Sequence, residues 1–201
     1  TIKIRDFCYF YSEFGIMDIK YSQGAQHIII YAREEAMRTG SLSVTADHLM
    51  LAMLRYRDNE VCAVLKDIGV DLDHLKKLID RHNMEAEPIP FEAFNAIRLS
   101  KKAIHILKIA GYESLKSESN TVLPAHILLA LFRMDFCTGI DFLQSQGIDY
   151  DVIYKSLYDR GIITANGTTQ TEDDTKKTFG ALTDKLIAMM NPESQNITFL
   201  S

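Results

Sequence analysis

The sequence is poor in the residues that make frequent turns. Its 201 residues include only 4 prolines and 10 glycines, and tryptophan is absent. β-Sandwiches and propellers consist of many short strands joined by turns that are rich in these residues. The composition therefore argues against such all-β architectures and favours helices.

Cysteine is scarce as well. Cys8, Cys62 and Cys137 lie far apart, are odd in number and never form a CxxC pair. This pattern argues against a disulfide framework and against a zinc knuckle, and it is typical of a reducing compartment. We therefore expect a cytoplasmic protein.

Long apolar runs and an excess of positive charge are also missing. The longest apolar runs, 49–54 and 127–132, are far shorter than the ~20 residues that a membrane-spanning helix needs. Lysine and arginine total 22 against 27 aspartates and glutamates, which gives a net charge of −5. Such a chain is a poor candidate for binding nucleic acid or an anionic membrane, so we expect neither as a partner.

The sequence motifs of common enzymes are not found either. The chain has no GxxxxGK[ST] or GxGxxG phosphate loop, no GxSxG nucleophile elbow and no HExxH metal motif. We therefore expect no catalysis by this chain, no cofactor and no metal ion.

An internal repeat is the most informative feature that is present. Residues 21–79 align without a gap with residues 99–157, at a constant offset of 78, and 17 of the 59 aligned pairs are identical. Unrelated segments would match at only about 6% of positions, given ordinary residue frequencies. The central part of the chain is therefore a duplicated unit.

Each unit has the apolar spacing of helices. In the first unit, Ala25, Ile28, Ile29, Ala32 and Ala36 recur at the spacing that forms one buried face of a helix. Together with the duplication, this predicts an all-α fold in which two pseudo-twofold-related four-helix repeats pack into one eight-helix domain.

Candidate helix boundaries recur in both units. Thr45 is a good N-cap for a second helix, and Asp71 and Asp149 are N-cap candidates for the fourth helix of each unit. Gly69 and Gly147 stand where the third helices should end. The predicted organisation has two repeats, 21–83 and 95–158, with a linker at 84–94 between them. An N-terminal extension, 1–20, precedes the repeats, and a C-terminal tail, 159–201, with a possible short helix at 181–190, follows them.

Part of the first repeat resembles a known protein family. The stretch 32–36 (AREEA), Gly40, and the stretch 44–55 (VTADHLMLAMLR) resemble the Clp N-terminal domain, which has two tandem repeats. The resemblance implies a non-catalytic domain at the front of AAA+ unfoldases of the ClpA, ClpB and ClpC types. There it binds client proteins or adaptor proteins and passes them to the ATPase ring.

The resemblance also implies a ligand-binding position. In ClpC-type members, the acidic residue of each Thr-Glu-His turn helps to hold phosphorylated arginine on client proteins. The first such turn here is 45–48, so Thr45 and Asp47 are the candidate substrate- or adaptor-binding residues. The second turn has Ala125 in place of the acidic residue, so a twofold reader of phosphorylated arginine is not expected.

Several of the candidate functional residues can also be explained by a role in the fold. His48 and His126 occupy equivalent places beside apolar residues, which favours histidines that are hydrogen-bonded within the fold over ligands or bases. Thr45 and Asp47 also start a helix, where free N–H groups offer a docking point for an anion.

Four functions remain open from the sequence. The chain is a client- or adaptor-binding part of an unfoldase with its own AAA+ ring, or it is a standalone adaptor with the same fold. A small helical ligand sensor or enzyme that uses the His and Asp positions is less favoured. Transcriptional regulation is the weakest option because no basic recognition face is evident.

Overall fold

Eight α-helices in two sets of four make up most of the part of the chain that the computed structural model describes, namely residues 20–84, 87–134 and 136–164. The first repeat contains the following helices: α1 (Gln23–Arg38), α2 (Ala46–Arg55), α3 (Glu60–Asp67) and α4 (Leu72–Asn83). The second repeat contains the following helices: α5 (Lys101–Lys116), α6 (Pro124–Phe132), α7 (Thr138–Ser145) and α8 (Tyr150–Asp159). A 3₁₀-helix (Phe91–Ala96) lies between the two sets.

The helix boundaries recur at the offset found in the sequence. All four helices of the second repeat begin 78 residues after their counterparts, and α5 and α7 also end 78 residues after α1 and α3. The predicted all-α fold of two related four-helix repeats is thereby confirmed.

Four two-residue strands connect the repeats. They are β1 (Lys20–Tyr21), β2 (Ser43–Val44), β3 (Arg98–Leu99) and β4 (Thr121–Val122). Strand β1 pairs in parallel with β4, and β2 pairs in parallel with β3. Since β1 is equivalent to β3 and β2 to β4, exchanging the repeats exchanges the two pairings, as pseudo-twofold symmetry requires. Two residues are too few to show a strand period, so the sequence did not predict these pairings.

Helices α2 and α6 lie at the centre of the core. Every residue of α6 is buried, and in α2 only the final Arg55 is exposed. The α6 sequence, PAHILLALF, is apolar on all sides, which is the pattern of a helix that is covered on all sides. Pro124 occupies its first turn, where the missing N–H removes no intrahelical hydrogen bond.

The domain boundaries stay predictions. The 3₁₀-helix starts within the predicted linker 84–94, and α8 continues one residue past the predicted end of the second repeat. The possible helix at 181–190, and all of the N-terminal extension except Lys20, lie outside the described residues. Among the described helices, none is long and apolar enough to cross a membrane.

Candidate binding cleft between the repeats

His48 is hydrogen-bonded through both of its ring nitrogens. Its Nδ1 accepts from the backbone N–H of Thr45 at 3.0 Å, and its Nε2 lies 2.9 Å from the hydroxyl of Thr39. The Thr39 hydroxyl donates in turn to the backbone carbonyl of Glu35 at 3.0 Å. This network fits a neutral ring with its hydrogen on Nε2. Burial lowers the pKa of His48, which favours the same neutral form.

His126 repeats this arrangement in the second half. Its Nδ1 accepts from the backbone N–H of Leu123 at 3.0 Å, and its Nε2 lies 2.8 Å from the hydroxyl of Ser117. Burial lowers the pKa of His126 from 6.5 to about 4. Each histidine therefore connects the start of a central helix to the end of the preceding helix, and neither ring has a free nitrogen that could act as a base.

Asp47 is buried, and its carboxylate crosses to the other repeat. Oδ1 accepts from the backbone N–H of Thr138 at 2.8 Å, and Oδ2 accepts from the Thr138 hydroxyl at 2.9 Å and from Nδ2 of Asn83 at 3.0 Å. Thr138 is the first residue of α7. Asp47 therefore supplies a negative charge and a hydrogen-bond acceptor to the N-terminus of a helix in the second repeat.

The related contact on the other side of the pseudo-twofold axis has the roles reversed. There Glu60 of α3 accepts from the backbone N–H of Ala125 at 3.4 Å, so the carboxylate comes from the residue equivalent to Thr138. Helix α3 also has its own cap, because Asn59 accepts from the N–H of Cys62 at 3.0 Å, whereas Cys137 provides no side-chain cap to α7. Ala125 and Cys137, which lack an acid and a cap, both lie in the second repeat, and carboxylates of the first repeat, Glu60 and Asp47, compensate for them.

The aspartates and glycines that recur at equivalent positions of the two repeats lie at helix ends. Asp71 caps α4 by accepting from the N–H groups of Asp73 and His74, at 2.9 and 3.0 Å. Asp149 caps α8 through the N–H of Val152 at 3.0 Å. Gly69 and Gly147 follow α3 and α7 with φ of 88° and 76°, a left-handed conformation that glycine adopts without strain.

A duplicated ion pair was missed by the sequence reasoning. Glu113 is only 1% exposed, and it accepts from Arg133 and, at 2.8 Å, from the hydroxyl of Tyr150. The equivalent Glu35 pairs with Arg55 at 3.3 Å. Glutamate and arginine are identical in both repeats at these positions, so the alignment itself contained the signal. A repeated charge pair within apolar helices indicates a salt bridge, and in both repeats its carboxylate is buried while its arginine is partly exposed.

A cleft with a volume of about 490 Å³ opens beside Thr45 and Asp47. Asn83 lines the same cleft, as do Lys102 of α5 and Phe136 of the loop before α7. Residues from both repeats therefore form this cleft, and it brings together the two predicted binding residues.

Phe136 and Lys102 form a cation–π pair at the cleft. The Lys102 ammonium lies 4.0 Å from the centre of the Phe136 ring, and the ring is 75% exposed. Phe136 also adopts a φ of 73°, which costs a non-glycine residue on the order of 1 kcal/mol. The loop thus holds an aromatic ring in solvent at the expense of backbone strain. Because neither residue belongs to a motif, nothing in the sequence pointed to them.

The first repeat has no equivalent of this aromatic–cation pair of the second repeat. Asp58 stands at the position related to Phe136, and Gly24 stands at the position related to Lys102. A Cβ atom on Gly24 would lie 3.3 Å from Cγ of Pro124, so this side is closely packed. The two repeats therefore offer different surfaces in spite of their common fold.

Two cysteines lie in the interior of the domain. Cys62 and Cys137 are buried free thiols, and burial raises the pKa of each. A buried thiol of raised pKa is a poor nucleophile. Within residues 20–84, 87–134 and 136–164, no three His, Cys, Asp or Glu side chains are grouped so that they could hold a metal ion.

Comparison with known proteins establishes the family. The family model of the Clp repeat (R) N-terminal domain matches residues 20–146, which is more than half of the chain. The chain therefore belongs to the Clp N-terminal domain family, as the resemblance of its motifs predicted.

Individual relatives are distant and much longer. The ClpA homolog of Guillardia theta, an ATP-dependent Clp protease ATP-binding subunit, is 26% identical over 177 residues, which cover 83% of this chain and 21% of that protein. The negative regulator of genetic competence ClpC/MecB of Bacillus subtilis is 23% identical over 114 residues, covering 57% of this chain and 14% of that protein. This chain thus spans about a fifth of the length of such relatives, or less.

The fold also matches solved structures. The Hsp104 N-terminal domain of Candida albicans superposes with a TM-score of 0.58 at 22% identity, covering 71% of this chain and 92% of that domain. Identity at this level supports the shared fold alone.

Proposed function

We propose that this chain is a non-catalytic protein-binding module that recruits client proteins or adaptors for unfolding by an AAA+ ring. Two observations support the proposal: membership of the Clp N-terminal domain family, and the cleft between the repeats with its exposed Phe136–Lys102 pair. An exposed aromatic ring beside a cation suits the apolar and acidic side chains of an unfolded polypeptide. The AAA+ ring would be supplied by polypeptide that is not part of this sequence.

Asp47 is a second element of the proposed site. A guanidinium group from a phosphorylated arginine would have to displace the hydrogen bonds from Thr138 and Asn83 before it could pair with this carboxylate. Binding of such a ligand would therefore weaken a contact between the repeats. Recognition of phosphorylated arginine by Asp47 and Thr45 stays a prediction on these grounds.

The enzyme and sensor alternative has less support. It requires His48 or His126 to exchange protons, and both rings are hydrogen-bonded at both nitrogens in the interior. A standalone adaptor with the same binding cleft is the main alternative. It differs from the leading proposal only in whether an ATPase ring is covalently attached.

Binding of an unfolded model client tests the proposal. Fluorescein-labelled casein is titrated with the purified chain, and anisotropy reports binding. We expect the double variant F136A/K102E to weaken binding about tenfold, because it removes the aromatic contact and reverses the charge. F91A is the matched control, since Phe91 is 67% exposed but lies outside the cleft. Unchanged binding by the double variant would contradict the cleft assignment.

Two further measurements separate the alternatives. Arginine-phosphorylated casein should bind more tightly than untreated casein, and this difference should disappear in D47N if Asp47 reads the modified side chain. Fusion of the chain to a Clp ring that lacks its own N-terminal domain should restore ATP-driven unfolding of casein. Failure of the fusion with casein binding intact would favour the standalone adaptor.

A further inference from the structure

A second groove lies between α4 and α7, and its lining is basic. With a volume of about 380 Å³, it is lined by residues of α4 and by one residue of α7: His74, Lys77, Leu78, Arg81, His82 and Thr138. Four of these six side chains are basic, and none is acidic. This composition contrasts with the net charge of −5 of the whole chain.

Helix geometry explains how the basic residues come together. Positions 74, 77, 78, 81 and 82 follow the i, i+3, i+4, i+7, i+8 spacing that forms one face of a helix. The acids of α4 are paired elsewhere, since Asp73 pairs with Arg57, and Asp80 pairs with Lys76 at 2.6 Å and with Arg38. Among the described residues, no carboxylate lies within 4.0 Å of the charged nitrogens of Lys77 or Arg81.

Apolar surface accompanies this charge. The His74 ring lies 5.5 Å from the ring of Phe142 on α7, and both Leu78 and Phe142 are half-buried. The groove thus combines two cations that have no carboxylate partner within the described ranges, Lys77 and Arg81, with a partly exposed apolar side. A polypeptide segment that carries carboxylates and an apolar side chain complements both features.

The second repeat provides an internal comparison. Among the positions that line the groove, only Lys77 has an identical counterpart on α8, Lys155, and Asp159 occupies the position related to Arg81. Arg160, the counterpart of His82, pairs with Asp67, and Glu60 stands in place of Thr138. The basic groove is therefore specific to the first repeat and is not a general property of the fold.

We propose that the α4–α7 groove binds an acidic polypeptide segment with an apolar anchor. This surface is additional to the Phe136–Lys102 cleft, although His82 lines both. A protein partner fits better than a nucleic acid, because the basic residues occupy one short helix face beside apolar groups and the chain as a whole would repel an extended polyanion.

A charge-reversal experiment tests the groove. The probe is a short fluorescein-labelled peptide rich in glutamate with one leucine, and its anisotropy is measured at low salt. We expect K77E/R81E to weaken binding about tenfold, since two exposed attractions become repulsions, and we expect added salt to weaken binding by the unmodified chain. The control K108E/K155E alters the net charge by the same amount on exposed residues outside the groove. Circular dichroism and thermal melting of each variant verify folding.

Four results would overturn this proposal. They are no peptide binding by the unmodified chain, equal weakening by the control variant, tighter binding of a labelled single-stranded oligonucleotide than of the peptide, and loss of peptide binding in F136A. The last result also separates the two proposals, because F136A should reduce casein binding at the cleft and leave the acidic peptide bound at the α4–α7 groove.

Discussion

Replacement of Asp47 by alanine is the sharpest test of the contact between the repeats. The substitution removes the acceptor of three hydrogen bonds, two from Thr138 and one from Asn83, with lengths of 2.8–3.0 Å. It also removes a negative charge from the N-terminus of α7, a helix that has no side-chain cap of its own. We therefore expect D47A to destabilise the whole domain rather than one helix end.

The magnitude follows from the burial of this group. Loss of an N-cap costs about 0.5–2 kcal/mol, and hydrogen bonds to a charged group contribute about 1.5–3 kcal/mol. These values do not add, because water from the adjoining cleft can reach the exposed N–H of Thr138 in the variant. We expect a decrease in the free energy of unfolding of about 2–3 kcal/mol, which corresponds to a Tm lower by about 5–10 °C for a domain of this size.

Urea denaturation followed by circular dichroism measures the effect. Glu60→Ala is the matched control, because Glu60 makes the pseudo-symmetric contact through one hydrogen bond of 3.4 Å and α3 retains its Asn59 cap. E60A should cost about 0.5 kcal/mol. If D47A were no more destabilising than E60A, the assignment of Asp47 as a cap across the repeats would be refuted.

Three further predictions concern the duplicated residues. Burial lowers the pKa of His126 from 6.5 to about 4, so the unfolded chain binds the proton first as the pH falls. The free energy of unfolding should decrease by up to about 3 kcal/mol as the pH falls from 6.5 to 4. The urea midpoint of H126N should depend less steeply on pH than that of the unmodified chain, and equal slopes against pH would contradict this. R133M leaves Glu113 buried without its cation and should lower the free energy of unfolding, measured by urea denaturation, by about 2 kcal/mol. The double variant E113Q/R133M should recover part of this loss. If R133M were as stable as the unmodified chain, a structural ion pair would be excluded. G69A and G147A should each lower the free energy of unfolding by about 1 kcal/mol, because alanine is strained at their positive φ, and wild-type urea midpoints in both would argue against that conformation.

The sequence predicted most of the helices from local patterns. The apolar spacing of Ala25, Ile28 and Ile29 predicts α1 because helix periodicity is a short-range property of the chain. Asp71 and Asp149 were recognised as N-caps for the same reason, since the acceptor and the donor lie within a few residues of each other. The duplication then predicted that both halves would have the same four helices.

The candidate site was only partly accessible to this reasoning. The family motif points to Thr45 and Asp47, and both line the cleft between the repeats. Phe136 and Lys102 were not selected, because a cation–π pair between residues so far apart in sequence leaves no periodic trace. The basic face of α4 could have been read from its spacing, but its significance depends on which acids pair elsewhere.

The helices, several of their caps and their duplication can be read from the amino-acid sequence. The contact of the Asp47 carboxylate with Thr138 of the other repeat emerges only when the repeats pack together. The same is true of the open cleft on one side and of the closely packed contact between Gly24 and Pro124 on the other. The difference arises from distance along the chain. Helices and caps depend on neighbours within a few residues, whereas these contacts join residues that are about 90–100 positions apart and form only when the two repeats pack together.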